Sequence, residues 1–173
     1  MPSYQLVPGF NGILEVDSQA WIGSDPTNHD WRDYQAWLAA GNEPLPPDIG
    51  QAKTGAVGLL AAACGTQAVG GFSSSALGAP YLYPSAQTDQ DNLAASVLAS
   101  LLPAGQAPGW TTPFMCCDSK GVWARRPHMA AQIQQVGLDG KAFVLGCLTK
   151  LDTLRAQIGA ATTVDQVDAI VWT

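Results

Sequence analysis

From Ile133 to Ala161 one rhythm governs the chain. Ile133, Gly137, Gly140, Val144, Cys147, Leu151, Leu154, Ile158 and Ala161 follow one another at alternating steps of four and three. Such spacing belongs to a helix and excludes a strand, whose faces alternate every second residue. It predicts one long helix, from His128 to about Ala161. A mean step of 3.5 residues is also the seam spacing of helices that supercoil around one another. Two packings satisfy it. Either the stripe is covered inside one domain, or copies of the chain associate along it, a homotrimer being the favoured assembly. Gly137 and Gly140 each weaken the helix by about 1 kcal/mol relative to alanine, but they let another element approach closely.

The segments before that helix alternate between β and helical patterns. Tyr4–Val7, Ile13–Val16 and Ala20–Ile22 carry β-formers, with turn signals at Pro8-Gly9 and Asn11-Gly12. So short a run of strands buries little alone and needs a partner elsewhere, on the main domain or on another chain. Trp31, Tyr34, Trp37 and Leu38 then fall on one face of a helix. Asp25-Pro26 or Asn28 starts it, and Gly41-Asn42 supplies a left-handed stop. Glu43-Pro-Leu-Pro-Pro47 forces an extended connector, because proline fixes φ and lacks a donor. The connector divides an N-terminal arm, residues 1–47, from a compact domain, residues 48–173.

Within that domain, residues 48–70 read as a glycine-weakened helix. Phe72–Ala76 and Tyr81–Tyr83 read as a hairpin around Leu77-Gly78-Ala79. Thr88 is placed to cap a helix reaching Leu102, with Leu93, Val97, Leu101 and Leu98 as its buried stripe. Trp110–Cys117 and Gly121–Arg125 form a second hairpin, ended by Arg126-Pro127. A short helix capped by Thr163 closes the chain. The fold class expected is α+β: a short β/helical arm, then two hairpins with several helices, one of them long and C-terminal.

Charge separates the two parts further. The first 48 residues hold seven acids against Arg32 alone, while the remainder balances seven against seven, for a net charge of −6. A nucleic-acid binder carries the opposite bias, so no nucleic-acid partner is expected. Neither a membrane-spanning run nor a signal-peptide pattern is visible.

Constellations that carry chemistry are sparse. Cys64, Cys116, Cys117 and Cys147 form no Cys-x-x-Cys pair, and His29 and His128 lie far from them, so no metal-ligand spacing arises. They read as buried thiols of a protein made in a reducing cytoplasm. Arg125-Arg-Pro-His128 reads as an anion or partner-carboxylate contact at a helix start, or as a solvated hairpin end. Asp89 and Asp91 read as first-turn acids of a helix. Ser73-Ser74-Ser75 lacks a nucleophile elbow, and no phosphate loop or dinucleotide fingerprint occurs. The expectation is therefore no enzyme, no catalytic residues and no cofactor. Six tryptophans leave two readings open, core packing or stacking on sugars.

Two stretches carry a resemblance. Asn28-His-Asp-Trp-Arg-Asp-Tyr-Gln-Ala-Trp-Leu-Ala-Ala-Gly-Asn-Glu-Pro44 resembles a segment of small tailed-bacteriophage tail proteins. Gly71-Phe-Ser-Ser-Ser-Ala-Leu-Gly, Tyr83-Pro-Ser, Asp89-Gln-Asp-Asn-Leu93, the run from Trp110 to Trp123-Ala-Arg-Arg-Pro-His128 and Gln132-Ile-Gln-Gln-Val136 together resemble a phage domain of uncharacterised function from tail-fibre and tail-associated proteins. The glycine-rich 50–70 segment departs from that pattern. The resemblance implies a structural virion protein of a tail or baseplate that attaches or supports tail fibres in host recognition, made in the host cytoplasm. Its partners would be other tail, baseplate or fibre proteins. Trp31, Tyr34, Trp37, Trp123, Arg125 and Arg126 are the candidate partner contacts. A tail-fibre assembly chaperone absent from the virion, and a host-surface glycan-binding module, are the rival readings.

Overall fold

The computed structural model describes residues 2–7 and 10–173. The fold is α+β, with two antiparallel sheets and a long C-terminal helix. Two compact units share the chain. One draws on residues up to Leu59 together with Leu154–Val171 and Thr173; the other draws on Leu60–Thr153 and Trp172.

In the first unit β1 (Tyr4–Leu6), β2 (Gly12–Glu15) and β3 (Ala20–Gly23) form a meander in that order, with Leu6 opposite Ile13 and Ile13 opposite Ile22. Gly12 lies inside β2 rather than in a turn, and it must be glycine: a Cβ there would sit 2.1 Å from the Ile22 carbonyl oxygen. The expected Pro8-Gly9 turn lies outside the described residues. Helix α1 (His29–Ala39) starts where Asn28 Oδ1 accepts from the Asp30 N–H and stops before Gly41, at φ +88°.

The strands do not need a partner outside their own segment. The aromatic face of α1 covers them, so that Tyr4, Ile13, Ile22 and Tyr34 are buried together with Trp31, Trp37 and Leu38 packed around them. The Tyr4 ring meets Tyr34 and Trp37 edge-on, both at 5.0 Å between centroids. The expectation missed this because it weighed the strands without the helix that follows them. The proline connector joins the same sheet. Leu45, the residue without a proline ring, donates to the Tyr4 carbonyl at 2.7 Å and accepts from the Leu6 N–H at 3.0 Å.

Helix α2 (Ile49–Val69) forms over the glycine-rich stretch. Its first turns bury Ala52 against Ala161 and Val167, which belong to the chain around α5 (Val164–Asp168). Thr163 caps α5 as expected, its Oγ1 accepting from the Gln166 N–H at 3.2 Å.

The second unit carries the four-stranded sheet β4 (Phe72–Ser74), β5 (Tyr81–Tyr83), β6 (Thr111–Cys117) and β7 (Trp123–Met129), paired in that order. Both predicted hairpins are present. The second one runs further than expected, because Arg126-Pro127 does not end it. Pro127 stands opposite Pro113 on an edge strand. Two prolines can face each other there because neither position supplies a ladder N–H. Helix α4 (Ala130–Ala160) therefore starts two residues later than His128.

Helix α3 (Gln87–Leu101) also differs in detail. Its cap is not Thr88: the Ala86 N–H donates to Asp89 Oδ2 at 3.2 Å, so the acid three residues in closes the first turn. Leu93 is buried and Val97 packs on the core, but Leu98 and Leu101 are exposed. Glycine explains the shift. A Cβ at Gly137 would lie 2.7 Å from Val97 Cγ2, so α3 presses its Leu93–Val97 edge into α4 and leaves the neighbouring edge outside.

The core of this unit comprises Phe72, Tyr83, Leu93, Phe114, Cys116, Ile133 and Val136. The α4 stripe is used internally: Ile133, Gly140, Cys147, Leu151, Ile158 and Ala161 are buried within the single chain. Phe72 presses on Gly140, 2.8 Å from where a Cβ would be. These six positions are thus taken up by packing within the chain, whereas Gly137, Val144 and Leu154 of the same stripe are half-buried. All four cysteines are buried and free of disulfides. No helix among the described residues is long and apolar enough to cross a membrane.

Candidate functional site

Strand β7 sorts its side chains by alternation. Trp123, Arg125, Pro127 and Met129 are exposed along one face, whereas Ala124, Arg126 and His128 turn to the other. The register carries this face across the sheet: Trp123 lies opposite Cys117, Arg125 opposite half-buried Met115, and Leu82 of β5 also opposite Cys117, which is buried between its exposed neighbours. The result is a solvent-facing apolar surface in which Trp123 keeps 48% of its area and Met129 55%. Arg125 is the cation on it. Trp and Arg are the side chains that most often anchor interfaces, and here one of each stands exposed on the same open sheet face.

The opposite face is closed. Arg126 pairs with Asp118 at 2.8 Å, donates to the Cys116 carbonyl at 2.9 Å and lies over the Tyr81 ring at 5.0 Å. Asp118 in turn accepts from the Lys120 and Val122 N–H groups, both at 3.0 Å. The Val122 backbone bond leads in holding its carboxyl below the usual range, with Lys120 and Arg126 assisting. His128 is fully buried. Its Nδ1–H donates to the Arg126 carbonyl at 2.8 Å, which fixes the tautomer and leaves Nε2 to accept from the Tyr83 hydroxyl at 2.9 Å. Burial pushes the His128 pKa down and the Tyr83 phenol up. This pair is neutral, satisfied and out of reach of any substrate. The anion-contact reading of Arg125-Arg-Pro-His128 is corrected accordingly: alternation splits the four residues between two faces.

The sequence-derived contacts thus separate. Trp123 and Arg125 come together on the outer sheet face, while Arg126 is committed to its own hairpin. Tyr34 lies in the core of the first unit, with Trp31 at 5.1 Å between centroids and Trp37 at 6.2 Å, both half-buried beside it. At the start of α1, exposed His29 Nδ1 stands 3.2 Å from Asp33 Oδ2 and 3.6 Å from Asp30 Oδ1, a solvated charged turn.

Sequence reasoning missed a second feature. An apolar trough of about 740 Å³ opens between α3 and α4, with Leu98, Leu101 and Leu138 exposed along it and Lys141 at its side. The spacing of Leu98 and Leu101 points to a buried stripe and so gives no sign of it. The serine run Ser73–Ser75 lines a smaller polar hollow of about 430 Å³ with Gln135 and Asp139. There the carboxylate accepts from Gln135 at 2.7 Å, and no imidazole lines the hollow to activate a serine.

Residues 51–171 match the family model described as a domain of unknown function, DUF4376. No curated protein and no solved structure matches the chain.

Proposed function

The chain belongs to the DUF4376 family, a domain of unknown function, and we propose that it is a structural, non-catalytic component of a bacteriophage tail or baseplate that attaches or supports tail fibres. The reading rests on the likeness of its Asn28–Pro44 and Gly71–Val136 stretches to tail-associated proteins. The observation that carries it is the outer face of the four-stranded sheet, where Trp123, Met129 and Leu82 are exposed around Arg125 on hydrogen-bonded strands. Side chains presented from paired strands, rather than from a loop, lower the ordering cost of association. The acidic opening segment adds a second selector, because a single sign of charge discriminates among partners and speeds encounter with a basic one.

Quantitative mass spectrometry of purified virions tests the proposal. The protein is expected at a fixed copy number per particle, and its absence from particles removes the structural reading. Absence from particles combined with a stoichiometric complex with the fibre in infected cells assigns it to fibre assembly instead.

A further inference from the structure

The trough between α3 and α4 has the form of a helix seat. Gln134 reaches Ser100 at 3.0 Å and Gly137 faces Val97, so residue numbers run in opposite directions and the two helices are antiparallel. Its walls recur at helical spacing: Gln90, Ala94, Val97 and Leu101 on one side, Gln134, Leu138, Lys141 and Val144 on the other. Each wall covers three turns, about 16 Å at 1.5 Å per residue. The floor is low because Gly137 and Gly140 carry no side chain, and Phe72 closes it from beneath. The rims are leucines that none of the described residues covers, Leu98 at 61% exposure and Leu138 at 65%.

Charge along the trough is one-sided. Gln90 and Gln134 are engaged with Ser85 and Ser100. Lys141 is the only charged side chain lining it and has no hydrogen-bond or ion-pair partner among the described residues. In the antiparallel frame Lys141 lies level with Leu93, about two turns from the Leu101 end. We propose that the trough binds an amphipathic helix of a partner protein, with apolar residues on the leucine end and a carboxylate about two turns away against Lys141. An apolar stripe in a groove between two helices is a recurrent mode of peptide recognition, and the lone ammonium selects an acidic rather than a basic helix. The inference deepens the assembly reading above and rests on it, since it names the chemistry of one partner.

The test uses the full chain and two designed peptides of about 16 residues, slightly longer than the trough. Both carry leucines at i, i+3, i+4 and i+7; one has glutamates at both ends of that stripe, the other lysines, so that peptide direction does not matter. Fluorescence anisotropy is expected to show the glutamate peptide binding about tenfold or more tightly than the lysine peptide. Lys141→Glu should reverse that preference, and Leu98→Asp should abolish binding of both without moving the melting temperature. Equal affinities, no binding to the wild-type chain, or binding that survives Leu98→Asp overturns the proposal. A wild-type dimer that Leu98→Asp dissociates also overturns it, because a second copy would then fill the seat. Virion copy number is independent of every one of these results, so failure of the trough and failure of the assembly reading are distinguishable.

Discussion

The two faces of the four-stranded sheet are built from alternating residues of the same strands, yet they do opposite work. Inward, Phe72, Tyr83, Phe114, Cys116 and His128 are all but inaccessible and every buried side-chain polar atom among the described residues has a partner. Outward, Leu82, Trp123 and Met129 stay in water and Arg125 stands among them. Neighbours in sequence are divided by this rule: Arg126 is consumed by Asp118, Cys116 and Tyr81, while Arg125 is not. Hydrophobicity alone does not tell a core side chain from an exposed one. The pleat assigns the face, and only one face finds helices to cover it.

Substitutions should separate the faces sharply. Phe114→Ala deletes the central ring of the closed face and is expected to cost about 3–5 kcal/mol, read as a lower denaturation midpoint in urea. If the loss were under about 1 kcal/mol, the closed face would not be the core described here.

A smaller effect should come from pH. His128 is neutral and its folded pKa lies below its unfolded value of about 6.5. The folded state therefore binds fewer protons, so this contribution is complete above about pH 6.5 and is lost as the pH falls toward the folded value. Asp118 is also depressed, but its loss begins only near the unfolded carboxyl range, about pH 4. Melting temperature should fall between pH 7 and 5 in the wild type and stay flatter in His128→Gln. Parallel profiles would remove His128 as the cause.

The smallest effect on folding belongs to the open face. Trp123→Ala should change stability by no more than about 0.5 kcal/mol, yet lower incorporation of the protein into particles. A large loss of stability would show that the indole belongs to the core; unchanged incorporation would free the outer face of its assigned role.

Much of this architecture is legible in the residues. Asn28 and Gly41 bracket α1, Thr163 caps α5, and the turn signals place both hairpins of the large sheet. The misses share a cause. Proline breaks the ladder of a central strand, but β7 is an edge, so the hairpin continues through Pro127. The candidate contacts were chosen by residue type, which ranks Trp31, Tyr34 and Trp37 with Trp123 although α1 spends its aromatic face on β1–β3. The trough was invisible because it depends on which edge of α3 meets α4, a matter of two glycines and the side chains that fill their space.

What the amino-acid order determined alone is local: helix and strand periods, caps, turns, the acidic opening segment and the unbroken stripe of α4. Those features follow from backbone sterics and from hydrogen bonds between near neighbours. Which stripes would be covered was left to the tertiary structure. Burial is a property of pairs of surfaces: Gly137 admits Val97, Gly140 admits Phe72, and the leucines beside them are left facing water.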